Sequence, residues 1–301
     1  MWAKGSDPPL EARVAYQSIF REGLFAGQVV IVTGGGSGIG RCTAHELAAL
    51  GAVVALVGRK PEKLATVAAE IAEDGGKASA HACDIREEDK VAATVAAVLK
   101  THGHIDGLVN NAGGQFQAPL ETISQKGWEA VVRTNLTGGF LMARECYTQG
   151  MRDHGGAIVN IVADMWNGMP GMGHSGAARA GMVNFTATAA AEWGAAGVRV
   201  NAVAPGWIAS SGFDAYPDSV KPMLRSLRHH TPLQRFGTEA EVSAAVVFLL
   251  SPAATFISGA TLRVDGAAPN AKRHVALEAH ARSKPFAGFH RAILPKTLQE
   301  E

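Results

Sequence analysis

Apolar runs alternate with amphipathic stretches along most of the chain, from Gln28 to Val264. Short, nearly continuous apolar runs that are each followed by a helix-length segment are typical of parallel strands buried on both faces. The pattern predicts strands at residues 29–32, 53–57, 78–82, 107–109, 158–162, 198–203 and 261–264. It predicts helices at residues 39–50, 61–73, 88–101, 127–154, 175–195 and 239–250. This alternation is typical of an α/β protein.

Right-handed crossovers join such strands into a doubly wound sheet. The predicted fold class is therefore α/β, with a single Rossmann-type doubly wound parallel seven-stranded sheet and helices on both faces. We expect this domain to span residues 27–266 and to carry a substrate lid at about 207–233. Residues 1–26 would form an N-terminal extension, and residues 267–301 a basic C-terminal tail. The chain has 301 residues, 47% of them hydrophobic, which is enough to bury such a core.

Composition and charge exclude several partners. The formal net charge is +1, with 28 basic and 27 acidic residues, so we expect neither nucleic acid nor an anionic membrane as a partner. No apolar stretch reaches the roughly 18 residues of a membrane span, and residues 1–27 lack the apolar core of a signal peptide. The cysteines Cys42, Cys83 and Cys146 form no Cys/His cluster. We therefore expect no metal site and reduced thiols in the cytoplasm.

The first predicted strand is followed by a glycine-rich turn, residues 33–40, which opens the first helix. In that position Gly34 permits the tight turn, Gly38 lets the backbone approach a pyrophosphate, and Gly40 lets helix and strand pack closely. The helix N-terminus adds amide donors and a partial positive charge. With Ser37 and Ile39, these glycines are predicted to bind a dinucleotide.

The end of the second strand distinguishes NAD from NADP. An acidic residue there would hold the adenosine ribose 2′-hydroxyl, but the strand ends in Arg59 and Lys60, with no acid before Glu62. Arg59 is suited to a 2′-phosphate, which it would bind through a charge-assisted hydrogen bond. The predicted cofactor is therefore NADP(H). The alternative is that Arg59 and Lys60 are simply solvated.

Further motifs resemble the classical short-chain dehydrogenase/reductase family. Residues 110–113 follow the fourth predicted strand, Asn135 lies within residues 134–138, and residues 205–206 and 263–266 follow or close later strands. The resemblance covers about residues 27–266 and implies the predicted fold. It also implies that Asp84 touches adenine and that Ile208 contacts the nicotinamide amide. The remaining cofactor contacts that it implies are Asn111, Ala112, Gly113, Arg179, Pro205 and Gly206.

The catalytic part of the family pattern is altered here. The resemblance leads us to expect a Ser after the fifth strand and a Tyr-x-x-x-Lys motif on the next helix. These positions hold Ala163, Ser175 and Arg179. A serine hydroxyl is a far weaker acid than a phenol, and an arginine keeps its proton. Ordinary ketone reduction or alcohol oxidation is therefore disfavoured, although Arg179 can still hold ribose hydroxyls or stabilise an oxyanion.

Enoyl thioester reduction makes a different demand, because hydride addition to Cβ leaves an enolate whose oxygen needs hydrogen-bond donors. Residues 113–116, 124–128, 174–181 and 249–254 resemble peroxisomal trans-2-enoyl-CoA reductases and the related dienoyl-CoA reductases, which use NADPH. The resemblance implies an NADP-dependent enoyl-CoA reductase. Its catalytic candidates are Ser175, Arg179, Asn135 and His174.

Two other functions stay open on the sequence. One is an NAD(P)-dependent dehydrogenase of medium-chain or terpenoid alcohols or aldehydes, with His174 or Asp164 as the substitute acid. The other is a catalytically weak NADP(H)-binding sensor or scaffold. His174 and Asp164 each have a purely structural alternative, as a packing histidine and a capping aspartate. Met165, Trp166, Met169 and Met172 either line an apolar acyl site or pack in the core.

The resemblance also implies the setting in which the protein works. The substrate would be a small molecule, acyl-CoA-like or apolar. Family members usually form homotetramers through the two helices predicted at residues 127–154 and 175–195. The chain ends in Gln299, Glu300 and Glu301, which is not a peroxisomal signal, so a bacterial-type cytoplasmic relative is expected.

Overall fold

The computed structural model describes residues 15–216, 218–271 and 276–299. The predicted N-terminal extension and C-terminal tail therefore lie partly outside the described residues. Seven parallel strands form one sheet in the order β3-β2-β1-β4-β5-β6-β7, which confirms the predicted doubly wound topology. The strands are β1 Val29–Thr33, β2 Val53–Gly58, β3 Lys77–Ala82, β4 Gly107–Asn110, β5 Gly156–Ile161, β6 Val198–Pro205 and β7 Thr261–Val264.

Helices connect the strands and cover both faces of the sheet. They are α1 Gly38–Ala49, α2 Pro61–Glu73, α3 Glu88–His102, α4 Gln125–Val132, α5 Gly138–Cys146, α6 Arg152–His154, α7 Gly173–Trp193, α8 Lys221–Ser226, α9 Glu239–Leu250 and α10 Lys296–Gln299. Shorter 3₁₀ turns occupy Leu120–Thr122, Gly194–Ala196, Ser211–Ala215, Asp218–Val220, Leu227–His230, Pro252–Ala254 and Ala268–Asn270.

The helix predicted at residues 127–154 is interrupted twice. Two π-helical turns, Arg133–Thr137 and Tyr147–Met151, separate α4, α5 and α6. Such turns insert one extra residue per turn and often lie at functional sites. The first of them contains Asn135, one of the predicted catalytic residues, and so sets where its side chain points.

The core forms on both faces of the sheet, because successive strand residues point in opposite directions. Val30 and Val32 of β1 pack in the cluster that includes residues of α1, α2 and α9. Val29 and Ile31 pack in the cluster that includes residues of α3 and α5. All of β1 is buried, which explains why it reads as a continuous apolar run.

The described part of the C-terminal tail folds back over the domain. Phe289 is buried in a cluster with Tyr16, Cys42 and Ala240. Further on, the Thr297 hydroxyl donates to Asp214 Oδ1 at 3.1 Å, which ties α10 to the predicted lid. Within the described residues, the three cysteines are free and buried, and no helix is both long and apolar enough to cross a bilayer.

Candidate cofactor cleft and active site

The turn between β1 and α1 requires glycine at two positions for steric reasons. Gly34 has a φ of +66°, and a Cβ there would lie 2.8 Å from the Asn111 Nδ2 atom. A Cβ at Gly40 would collide with the Gly34 carbonyl oxygen and the Asn111 side chain. The α1 N-terminus therefore lies directly against the loop that follows β4, where its amide groups and dipole favour an anion.

Thr33, at the end of β1, locks this turn to the loop after β4. Its hydroxyl accepts hydrogen bonds from the backbone N–H groups of Asn111 and Ala112, both at 2.9 Å, and donates to the Val109 carbonyl at 3.2 Å. The Asn111 side chain in turn donates to the Thr33 carbonyl at 3.0 Å. The two loops that family members use for the cofactor are therefore one rigid unit.

A cleft of about 360 Å³ lies over these loops, at the point between β1 and β4 where the strand order reverses. Ligands of doubly wound folds bind at this point. The lining includes many predicted cofactor residues: Gly34, Ser37, Ile39, Arg59, Asp84, Asn111, Ala112 and Gly113. Three cations beyond Arg59 also line it, namely Lys60, Lys63 and Arg86, of which the sequence motifs indicated only Lys60.

Asp84 is engaged by a neighbouring arginine. Arg86 Nε donates to the carboxylate at 2.8 and 3.1 Å, and this pairing lowers the pKa of Asp84 to about 2. Asp84 is therefore ionised and neutralised by Arg86. Arg59, Lys60 and Lys63 remain as a positively charged rim at the β2 end of the cleft. Such a rim suits a phosphate group.

The remaining predicted cofactor residues lie around the ends of β1 and β6. Gly38 begins α1, and Pro205 ends β6. Gly206 donates its backbone N–H to the Val264 carbonyl at 2.9 Å. Ile208 lines a second cavity, of about 340 Å³, beside β7 and the lid. Together the glycine cradle, the α1 N-terminus and the cationic rim fit a nicotinamide dinucleotide, whose reduced ring would supply a hydride when bound.

The predicted catalytic residues of α7 meet the loop after β4. Ser175 Oγ donates to Gln115 Oε1 at 2.8 Å. Arg179 Nη1 donates to the Ile161 carbonyl, and Nη2 lies where a Cβ at Gly113 would fall. A Cβ at Gly113 would therefore displace the guanidinium from its position against the loop after β4.

Arg179 places an unpaired cation at this point. Its Nε atom is buried without a hydrogen-bond partner, and within the described chain no carboxylate forms an ion pair with it. Burial lowers the pKa of Arg179 to about 10, so the side chain is still charged at neutral pH. A buried cation without a counter-ion is costly, and such an arrangement is typical of a site that receives negative charge from a ligand.

Asn135 and His174 are also near this loop, but their polar groups are used differently. The Asn135 side chain accepts from the Gly114 N–H and donates to the Gly114 carbonyl, both at 2.9 Å. His174 is fully buried, and its Nδ1 accepts from the Ser175 N–H at 2.9 Å, which leaves the proton on Nε2. That Nε2 has no partner in the described structure, and the ring stands edge-on to Phe116 at 4.4 Å.

Comparison with known proteins identifies the relationship. The family described as "Enoyl-(Acyl carrier protein) reductase" matches residues 34–267. The chain belongs to the classical short-chain dehydrogenase/reductase family. One sequence relative is a peroxisomal 2,4-dienoyl-CoA reductase of Danio rerio, which is 36% identical over 84% of this chain and 85% of the relative. Another is a 3-oxoacyl-[acyl-carrier-protein] reductase of Synechocystis, which is 39% identical over 79% of this chain and 96% of the relative.

Solved structures share the fold. A citronellol catabolism dehydrogenase of Pseudomonas aeruginosa is 65% identical, with a TM-score of 0.77, and the match covers 84% of this chain and 99% of that one. An NAD(P) dependent gluconate 5-dehydrogenase of Beutenbergia cavernae, described with bound NADP, is 33% identical, with a TM-score of 0.77 and coverage of 82% and 98%. This short-chain dehydrogenase/reductase is therefore an oxidoreductase of a family that binds NAD(P).

Two polar side chains complete the site. Asp164, just beyond β5, has a buried Oδ1 without a partner among the described residues, and burial together with Asp265 raises its pKa. Tyr216, in the segment predicted as a lid, accepts a hydrogen bond from Gln115 Nε2 at 3.4 Å. The family motifs gave no indication of Tyr216, because it lies outside all of them; its only sequence signal was that tyrosine is rare in this chain, with three in total.

Proposed function

We propose that this protein reduces the 2,3 double bond of trans-2-enoyl-CoA thioesters with NADPH. The observation that carries the proposal is the half-buried Arg179 cation, whose Nε is buried without a partner and which stands where most family members have the lysine of a tyrosine–lysine relay. Addition of hydride to Cβ places negative charge on the thioester oxygen. A fixed cation in a partly dehydrated site stabilises that charge in the transition state without any proton transfer from the arginine.

The choice of NADP(H) is supported by the cationic rim of the cleft. Arg59, Lys60 and Lys63 all line it, and the nearby Asp84 carboxylate is paired with Arg86. A free acid at the end of β2 would instead favour the 2′-hydroxyl of NAD. The solved relative with bound NADP agrees with this choice. The relatives named 2,4-dienoyl-CoA reductases agree with an unsaturated thioester as substrate.

A second candidate is supported by the solved relative with 65% identity, which is named for citronellol catabolism. This candidate is the NAD(P)-dependent oxidation or reduction of terpenoid alcohols or aldehydes. It requires a proton-transferring group at the site, since Ser175 and Arg179 are both poor ones at neutral pH. A homotetramer and a cytoplasmic location remain predictions of the family resemblance.

The experiment that separates these functions follows NADPH oxidation with trans-2-enoyl-CoAs of several chain lengths, including methyl-branched ones. In parallel, linear and terpenoid alcohols are offered with NAD⁺ and NADP⁺. We expect turnover of the enoyl thioesters. Turnover of the alcohols alone would contradict the proposal, and tight NADPH binding with no turnover at all would indicate a sensor.

The role of Arg179 is tested by Arg179→Met, which keeps the length of the side chain and removes its charge. Loss of one preorganised donor to a developing oxyanion lowers kcat by about 10²–10³-fold. We expect that loss with an unchanged dissociation constant for NADPH, measured by fluorescence titration. A weaker NADPH affinity with little change in kcat would instead assign Arg179 to the cofactor ribose. The matched control is Arg199→Met, because Arg199 donates only to backbone carbonyls of residues 249–251.

A further inference from the structure

We infer that Tyr216, from the lid, donates the proton of the proposed reduction, in place of the tyrosine that α7 lacks. This inference rests on the proposed function, because it concerns the second half of the same reaction. An arginine can stabilise the enolate but does not release its proton at neutral pH. The site therefore needs another acid, and three features of the structure point to Tyr216.

The first feature is the position of the three tyrosines, which leaves Tyr216 as the one phenol near the site. The chain has three tyrosines. Tyr16 is buried beside α1, where its hydroxyl donates to Glu46 at 3.0 Å. Tyr147 stacks on Trp193 at 4.5 Å, at the far end of α7. Of the three, only Tyr216 has a hydroxyl that reaches the start of α7, where it lies 4.0 Å from Met172 Sδ.

The second feature is the hydrogen-bond chain through Gln115. Ser175 occupies the position of the family tyrosine, and its hydroxyl fixes the Gln115 carboxamide by donating to Oε1. The opposite end of that carboxamide then donates from Nε2 to the oxygen of Tyr216. The phenol oxygen is an acceptor in this contact, and its own hydrogen is directed to Met172 Sδ at 4.0 Å, a weak acceptor that a substrate would replace. An N–H aimed at the phenol oxygen also stabilises the phenolate that remains after proton transfer.

The third feature is the anchoring of the lid. Asp214, two residues before Tyr216, accepts from the Thr297 N–H at 3.0 Å and from the Lys296 N–H at 3.2 Å. Thr297 is only 1% exposed. Phe213 is buried and packs edge-on against Phe236, with ring centroids 5.4 Å apart. The backbone just before Tyr216 is thus held to the body of the protein, as a proton donor requires.

The proton step balances without a further reactant. Hydride addition to Cβ gives an enolate whose charge lies on the thioester oxygen, beside Arg179. The O–H bond of Tyr216 then breaks and a Cα–H bond forms, which gives the saturated thioester. The phenolate is held by the Gln115 amide until water returns a proton to it. No oxidant or reductant beyond NADPH is needed.

The test is Tyr216→Phe, which keeps the ring and removes the hydroxyl. Because general acid catalysis contributes about 10²–10⁴-fold, we expect kcat on trans-2-enoyl-CoA to fall by that factor. The dissociation constants of NADPH and of the saturated acyl-CoA, both measured in binding titrations, should not change. The matched control is Tyr147→Phe, which should behave as wild type.

A second variant, Gln115→Leu, tests the hydrogen-bond chain. Without the amide donor the phenolate that remains after proton transfer is less stable, so kcat should fall in this variant as well. Wild-type kcat in Tyr216→Phe would overturn the inference while leaving the proposed function intact. If the wild type oxidises only alcohols, the proposed function fails, and Tyr216→Phe then shows whether the phenol serves that reaction as its base. Wild type without turnover of either class would overturn both.

Discussion

The carboxyl edge of the sheet has two halves, the β1–β4 side and the β5–β7 side, whose residues meet different structural requirements. On the β1–β4 side, backbone geometry dominates, because a Cβ at Gly34 would meet the Ala112 backbone and a Cβ at Gly40 the Gly34 carbonyl. On the β5–β7 side, side chains from distant segments converge, since Gln115 bonds both Ser175 of α7 and Tyr216 of the lid. The first half retains the family pattern, and the second has lost its serine, tyrosine and lysine.

The difference shows how tightly each kind of site depends on local sequence. A backbone cradle for a pyrophosphate tolerates little change at its tightest positions, because a Cβ at Gly34 or Gly40 collides with the Asn111 side chain. A proton donor has to satisfy only reach and acidity, so it can come from another segment. The cofactor half is therefore recognisable from motifs, whereas the catalytic half has to be read from contacts.

The largest effect on cofactor affinity is expected where the cradle is tightest, at Gly40→Ala. The added methyl group would meet the Gly34 carbonyl and the Asn111 side chain, so the turn has to open. Overpacking of this kind costs about 3 kcal/mol, or roughly 150-fold in NADPH affinity. The measurement is a fluorescence titration with NADPH, together with thermal melting. Gly194→Ala is the control, because a Cβ there meets nothing within 4 Å. Unchanged affinity in Gly40→Ala would show that the turn is not the binding site.

A smaller effect is expected at the rim of the cleft, with Arg59→Ala. Loss of a charge-assisted bond to a 2′-phosphate costs about 1.5–3 kcal/mol, or roughly 10- to 150-fold in affinity. The measurement is the ratio of KM for NADPH to KM for NADH. The ratio should rise by that factor in Arg59→Ala and stay constant in Lys77→Ala, an exposed lysine at the amino end of β3. A constant ratio in both variants would remove Arg59 from the cofactor argument.

The third expected effect is on the pH dependence of stability, and it concerns Glu239 and Glu241, two carboxylates in the first turn of α9. Glu239, close to Gly38, has a pKa raised to about 7 by burial. Burial acts on Glu241 in the same direction, but hydrogen bonds from Arg235, Thr238 and Phe286 outweigh it and lower its pKa. The two residues therefore make opposite contributions to stability as pH changes.

For Glu239 the native state keeps its proton to higher pH than the unfolded chain. Its contribution therefore declines as pH rises from about 4.5 to about 7. Glu239→Gln should raise stability at pH 8 by about 3 kcal/mol and change little at pH 4. For Glu241 the contribution is present at neutral pH and declines in acid, so Glu241→Gln should destabilise at pH 8 and lose its effect at low pH. Melting temperatures across this range test both, and parallel pH profiles for the two variants would contradict the assigned pKa shifts.

Much of the fold followed from the sequence because its strands are buried on both faces. Residues 53–57 and 261–264 were predicted as strands to within one residue of their observed bounds, and 61–73 as a helix without error. The helical segment predicted at residues 127–154 is observed from Gln125 to His154, but the prediction did not include its two π-helical turns. Hydrophobic periodicity does not detect one extra residue in a turn, so the placement of Asn135 against Gly114 could not be predicted.

The sequence by itself determined the doubly wound sheet and the family, and it indicated the cofactor cleft, because these depend on periodicity and on glycines at fixed spacing. It also showed that Ser175 and Arg179 replace the usual relay. Only the tertiary structure brought Gln115 and Tyr216, 101 residues apart, to the start of α7, and laid α10 against Asp214. Such contacts depend on how the lid and the C-terminal residues pack across the sheet edge. No local pattern encodes that packing, since each segment contributes only one side of every contact.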